Sequence, residues 1–225
     1  MNVEINLNSD VALGAFLDVP PKARGIVIFA HGSGSSRHSS RNQFVARVLQ
    51  RDGFATLLMD LLTPKEELID EQTRELRFDI PLLANRLIAA TEWCGRNDQT
   101  RELPIGYFGA STGAAAALVA AADDRAHLVR AIVSRGGRPD LAGEALERAR
   151  APALLIVGAA DVAVIGMNET AARKLSAPYE LVVVPNASHL FEEPGALEQV
   201  ADLAAGWFGR HLSHKIKCTS PNSCL

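Results

Sequence analysis

Residues 105–121 read IGYFGASTGAAAALVAA: an apolar run, Ile105 to Ala110, then a turn of small residues, then an alanine-rich stretch of helical character. At its centre lies Gly109-Ala110-Ser111-Thr112-Gly113, a G-x-S-x-G set between a strand and a helix. A sharp strand-to-helix turn forces its central serine into a strained conformation and lifts the hydroxyl above the sheet. The flanking glycines fit that turn because side chains there would collide with the adjoining strand and helix. Ala114 to Ala117 allow the helix a close approach, and its first free N–H groups face a reacting oxygen. Tight packing alone accounts equally well for five small residues at a turn, so the rest of the chain has to decide.

Outward from this stretch, apolar runs alternate with amphipathic segments from Gly25 to Leu212, which predicts a mostly parallel sheet with helices on both faces, an α/β fold. The runs are Ile26–Ala30, Ala55–Leu62, Ile105–Ala110, Ala131–Ser134, Ala153–Ala159 and Glu180–Pro185, each read as buried between helical layers. Val3 to Asn8 alternates with period two, and with VALGAFLDVP it predicts an antiparallel hairpin at one sheet edge. Helices are expected over Asn42–Arg51, Phe78–Trp93, Thr112–Ala122, Met167–Leu175 and Leu197–His211. Thr63 to Arg77 reads as a surface excursion over the strand ends. The expectation is one domain over 1–212 and a disordered tail over 213–225.

The 225 residues carry 23 Lys and Arg against 26 Asp and Glu, a net charge of −3, which offers no field for nucleic acid. No apolar run approaches the roughly 20 residues of a bilayer span, and the first residues lack a signal-peptide layout. The three cysteines, Cys94, Cys218 and Cys224, form neither a disulfide framework nor a metal spacing. A cytoplasmic protein with no metal, nucleic-acid or membrane partner is expected, its oligomeric state unknown.

A serine nucleophile needs a base and a carboxylate to orient that base. Asp161 follows ALLIVGA and His189 follows ELVVVP, both just past strands, where open parallel sheets bind ligands. The order Ser111, Asp161, His189 is that of an α/β-hydrolase. Taken alone, Asp161 reads as a helix cap and His189 as an ordinary loop residue. Asp140, also past a strand, is the alternative acid, although Pro139 and Leu141 suggest a helix start that Asp140 caps. The loop His31-Gly32-Ser33-Gly34-Ser35 offers oxyanion donors, assigned to the amides of Ser33 and Thr112. His31 reads as structural. The same loop begins like a dinucleotide fingerprint, with Asp60 as a ribose acid, but Arg37 stands where the third glycine belongs.

These residues resemble the α/β-hydrolases of the dienelactone-hydrolase-like group over about Gly25 to Leu212. The segments carrying the resemblance are FAHGSGSSRHS, LLMDLLT, FGASTGAAAAL, SRGGRPDLAG, LLIVGAAD and PNASHLFEEPG. More narrowly, they are similar to a bacterial branch found both alone and fused to phosphoribosyltransferase domains. The resemblance implies Ser111 as nucleophile, Asp161 as acid and His189 as base, with no cofactor. The group's namesakes use a cysteine nucleophile, and serine here favours ester or lactone hydrolysis generally. Arg37, Arg41, Arg135 and Arg138 suit a carboxylate or phosphate and suggest a small anionic ester or lactone. The competing reading pairs such arginines with Asp140, Glu144 or Glu66. Two further functions fit the same residues: acyl transfer to an acceptor other than water, and non-catalytic binding of a small ligand.

Overall fold

The computed structural model describes residues 1–8 and 11–212. In chain order the strands are β1 (Asn2–Asn6), β2 (Ala12–Asp18), β3 (Ile26–Ala30), β4 (Ala55–Met59), β5 (Ile105–Ala110), β6 (Val129–Arg135), β7 (Ala153–Gly158) and β8 (Tyr179–Val184). The helices are α1 (Ser40–Arg51), α2 (Pro64–Thr73), α3 (Ile80–Arg96), α4 (Thr112–Ala121), α5 (Ala145–Arg148), α6 (Val162–Ala172) and α7 (Ala196–His211). One eight-stranded sheet runs β1-β2-β4-β3-β5-β6-β7-β8. Strands β3 to β8 pair in parallel, and the β1–β2 hairpin joins antiparallel to β4, as the alternation of Val3 to Asn8 predicts.

Period-two alternation divides the strand side chains between two cores. Ile26, Ile28, Ile105, Tyr107 and Ile132 pack with Leu83, Leu87 and Ala115 to Leu118 on the face of α3 and α4. Val27, Phe29, Phe108, Val133 and Ile156 pack with Val45, Leu49, Val200 and Phe208 on the face of α1 and α7. Helix α3 buries Leu83, Ala84, Leu87, Ile88, Thr91 and Cys94, the three- and four-residue spacing of a single face.

The registers decide where the chemistry lies. Ala30 pairs with Gly109, Ala110 with Arg135, and Gly158 with Val184. The carboxyl ends of β3, β5, β6, β7 and β8 are therefore level, and the loops that follow them open on one edge of the sheet.

Residues 63–77 form an ordered surface excursion: Thr63 and Glu66 make a reciprocal capping box with Pro64 in the first turn, and this nucleates α2. Two expectations need correction. The helix expected over Met167–Leu175 runs over Val162–Ala172, since it starts directly after Asp161. Strand β8 is the sheet edge, with Tyr179 and Val183 exposed, so its apolar composition does not mark burial on both faces. The tail, with Cys218 and Cys224, lies outside the described residues.

Candidate active site

Ser111 follows β5 directly, at the N-cap of α4, with φ 51° and ψ −121°, a conformation that costs a non-glycine residue about 1–3 kcal/mol. The surrounding packing enforces it. A Cβ at Gly113 would meet the carbonyl oxygens of Ala30 and His31 at 2.3 and 2.4 Å, and one at Gly109 would meet Ala114 Cα at 2.4 Å. Ala114 N donates to Ser111 O at 3.1 Å, which starts α4, and the serine side chain makes no capping bond.

Asp161 stands at the N-cap position of α6, yet its carboxylate does not cap that helix. Oδ2 instead accepts from Nδ1 of His189 at 2.6 Å. That bond places the proton on Nδ1 and leaves Nε2 as the basic nitrogen. The helix-cap reading of Asp161 therefore yields to a longer-range partner. Asp140 does not cap a helix either: it lies inside a 3-10 turn over Pro139–Ala142, and Arg138 grips its carboxylate through two bonds of 2.9 and 2.7 Å.

The His189 loop is held at many points. Asn186 and Phe191 both have positive φ, 60° and 57°, and the Phe191 ring is buried in the core. Ala160 N donates to Ala187 O at 2.9 Å, and Ser188 N donates to the Glu193 carboxylate at 3.0 Å. Arg135 and Gly136 lie between this loop and Ser111. Ser111 N donates to Arg135 O at 3.3 Å, and a Cβ at Gly136 would stand 3.0 Å from His189 O and 3.5 Å from its Cε1.

Opposite, the loop after β3 turns at Gly34, where φ is 67°, with Ser35 N donating to Gly32 O at 3.2 Å. This is the glycine position of a type II turn. Among the described residues, neither the Ser33 nor the Thr112 amide donates a backbone hydrogen bond. Gly32 packs on Ser111, for a Cβ there would meet the serine Cβ at 3.1 Å. His31 locks the loop: Leu61 N donates to its Nε2 at 3.0 Å, and its Nδ1 bonds Gly32 O at 2.9 Å. Burial outweighs the pull of the Gly32 carbonyl and of Asp60 and holds the imidazole below its ordinary 6.5.

A cleft of about 590 Å³ runs along this loop to Thr112 and is closed on the far side by α2 and the turn after it. Ser33, Leu62, Glu67, Glu71, Arg77 and Thr112 are in its wall, whereas Ser111, Asp161 and His189 are not; Thr112 brings it next to Ser111 in the chain. Sequence reasoning missed Arg77. Its backbone N, Nε and Nη2 all bond buried Asp70, and its Nη1, which makes no bond among the described residues, lies beside Gly34. Burial would raise the Asp70 carboxyl, but the Arg77 hydrogen bonds and charge outweigh it and bring it below the usual range. Burial, then the charges of Asp60 and Glu71, push the Glu67 carboxyl up. The TPKE capping box announces α2, but no spacing in the sequence announces an Asp70–Arg77 pair.

Of the four expected arginines, Arg37 is paired with Asp60, which also accepts from its backbone N at 2.8 Å. The supposed ribose acid thus pins the loop after β3. Arg41 pairs with Glu192 at 3.1 Å, and Arg138 with Asp140. Arg135 is only 7% exposed, so it is buried beneath the His189 loop. Burial, then the charge of Arg41, pull its guanidinium down to about 10. Among the described residues no group of three or more His, Cys, Asp or Glu could hold a metal ion.

The sheet order and the strand-end loops define an α/β hydrolase fold. A crystal structure of a dienelactone hydrolase from Anabaena variabilis superposes with a TM-score of 0.91 at 58% identity, covering 94% of this chain and 97% of that one. Est1E from Butyrivibrio proteoclasticus shares the fold, with a TM-score of 0.76 at 17% identity over 93% of this chain and 98% of that one. The dienelactone hydrolase family model matches residues 13–212, and the chain belongs to that family. Two Mycobacterium tuberculosis proteins, from strains CDC 1551 and H37Rv and provisionally named as phosphoribosyl transferases, are 60% identical over 202 residues, 90% of this chain. The match spans only 44% of their length.

Proposed function

We propose that this protein is a serine hydrolase that cleaves a small carboxylic ester or lactone through an acyl-enzyme on Ser111. The observation that carries this reading is the 2.6 Å bond from His189 to Asp161, made by a carboxylate free of its helix, on the same sheet edge as a strained serine. In this mechanism Nε2 of His189 takes the Ser111 proton as Oγ attacks the carbonyl carbon. The amides of Ser33 and Thr112 donate to the oxyanion, and His189 then returns the proton to the leaving oxygen. Water repeats the sequence to release the acid. The volume of the cleft favours a small substrate.

The cleft wall carries both signs of charge, with Arg77 near the oxyanion loop and Glu67 and Glu71 on α2. An anionic ester or lactone fits with its anion toward Nη1 of Arg77, which makes no bond among the described residues, rather than toward Arg37, Arg41, Arg135 or Arg138. Among the described residues no helix is long and apolar enough to cross a membrane. A cytoplasmic location is consistent with the free, buried thiol of Cys94.

The test is intact-mass measurement after treatment with a fluorophosphonate probe. One adduct is expected on the parent and none on Ser111→Ala. A folded parent without an adduct would favour the small-ligand-binding alternative. Product analysis with competing alcohols then separates hydrolysis from acyl transfer.

A further inference from the structure

Arg135 closes β6 with its guanidinium turned into the protein. Its Nε has no partner among the described residues, and Nη1 donates at 3.5 Å to the carbonyl oxygen of Leu190, the residue after His189. Among the described residues no carboxylate pairs with it, and the charge that acts on it is the like charge of Arg41. A buried cation without a counter-charge is costly where leucine or methionine would pack freely. Its backbone, meanwhile, accepts from Ser111 N, so one residue touches both the nucleophile elbow and the loop of the base.

That loop contains two non-glycine residues with positive φ, and such conformations persist only where their surroundings over-determine them. Phe191 anchors its far side and Glu193 its backbone at Ser188. Within the tight stretch from Ser188 to Phe191, the Leu190 carbonyl is held from below by Arg135. We propose that Arg135 is a positioning residue for the general base: by holding the Leu190 carbonyl it fixes the His189 ring on Asp161 in the orientation that serves Ser111. This rests on the reading of Ser111, Asp161 and His189 as a triad, and it gives Arg135 no contact with substrate.

The experiment compares Arg135→Met and Arg135→Lys with the parent in the full chain. Four quantities are read: kcat and KM on a neutral and an anionic ester of the same alcohol, Tm, and the far-downfield proton resonance of His189 Nδ1–H, assigned by its loss in His189→Ala. Arg135→Met is expected to keep or raise Tm, because an uncompensated buried charge is gone. Its kcat should fall about 30-fold with KM within twofold on both esters, since a small misplacement of a catalytic group is worth up to about 10²-fold. The downfield resonance should move or broaden, and Arg135→Lys should recover part of kcat.

An unchanged kcat with an unmoved resonance overturns the proposal. So does a rise in KM confined to the anionic ester, which would make Arg135 a substrate contact, or a fall in Tm that accounts for the lost activity. Should Arg135→Met not fold, Arg135→Lys carries the same comparison with a smaller kcat loss. The resonance reads the His189 geometry without turnover, so a parent inactive on every ester and unlabelled by the probe would sink the hydrolase reading separately.

Discussion

Replacing Asp161 by Asn keeps the shape of the side chain and removes the charge that the geometry directs at His189. During proton transfer the imidazole becomes a cation, with its charge centre about 4 Å from that of the carboxylate. At an effective dielectric of about 20 the attraction is about 4 kcal/mol. His189 has a side chain 39% exposed against 16% for Asp161, so solvent screening reduces the attraction to about 3 kcal/mol. That is about two decades in rate. Asparagine can also turn its NH₂ toward Nδ1, which would move the imidazole proton to Nε2 and leave no base for Ser111. Together these predict a loss in kcat of about 10³ to 10⁴, with KM little changed. Asp140→Asn should stay within about twofold, because that carboxylate is occupied by Arg138. The assay is steady-state hydrolysis of a chromogenic ester, supported by the rate of fluorophosphonate labelling. Activity of Asp161→Asn within tenfold of the parent, or a hundredfold loss in Asp140→Asn, would refute the assignment.

Gly113→Ala should destabilise the fold by about 4 kcal/mol, because the new Cβ meets two backbone carbonyls rather than movable side chains. At about 2–4 °C per kcal/mol for a chain of this size, Tm drops by roughly 10 °C in a thermal melt. Gly166→Ala, on a helix with nothing within 4 Å of the added atom, should be neutral or slightly stabilising. His31 gives a pH signature. Its folded pKa is depressed, so the unfolded chain takes the proton first as pH falls below 6.5, and folding stability declines from there toward the folded pKa. Urea midpoints at pH 7.5 and 5.5 should show this decline in the parent and less of it in His31→Gln. Arg77→Met should raise KM for an anionic ester several-fold more than for its neutral counterpart; equal effects would remove Arg77 from substrate recognition.

The strained turn at Ser111 was legible in the sequence because the small residues it requires are contiguous in the chain. Gly109 and Gly113 exclude a Cβ that would strike atoms of adjoining elements, and those small residues sit beside Ser111 in the chain. The strand-helix alternation likewise announced the level strand ends that bring Asp161 and His189 to one edge. Even the order of the three residues carried information, since each follows a strand of a parallel sheet.

What only the tertiary structure decided was which charges neutralise one another and which strand is outermost. Asp60 meets Arg37 across 23 residues, Glu66 meets Arg86 across 20, and Arg41 meets Glu192 across 151. Nothing in the local pattern separates such arginines from one that faces a cleft, because a guanidinium takes whichever carboxylate the fold brings within reach. Arg77 acquires its place only when α2 folds over the loop after β3, and Arg135 only when the His189 loop covers it. The steric demand at Ser111 is met by small residues contiguous in the chain and so is written in composition and spacing, even where the atoms they avoid, such as the Ala30 and His31 carbonyls, are remote in sequence. Ion pairing and burial act between neighbours in space, and these exist only once the sheet has closed.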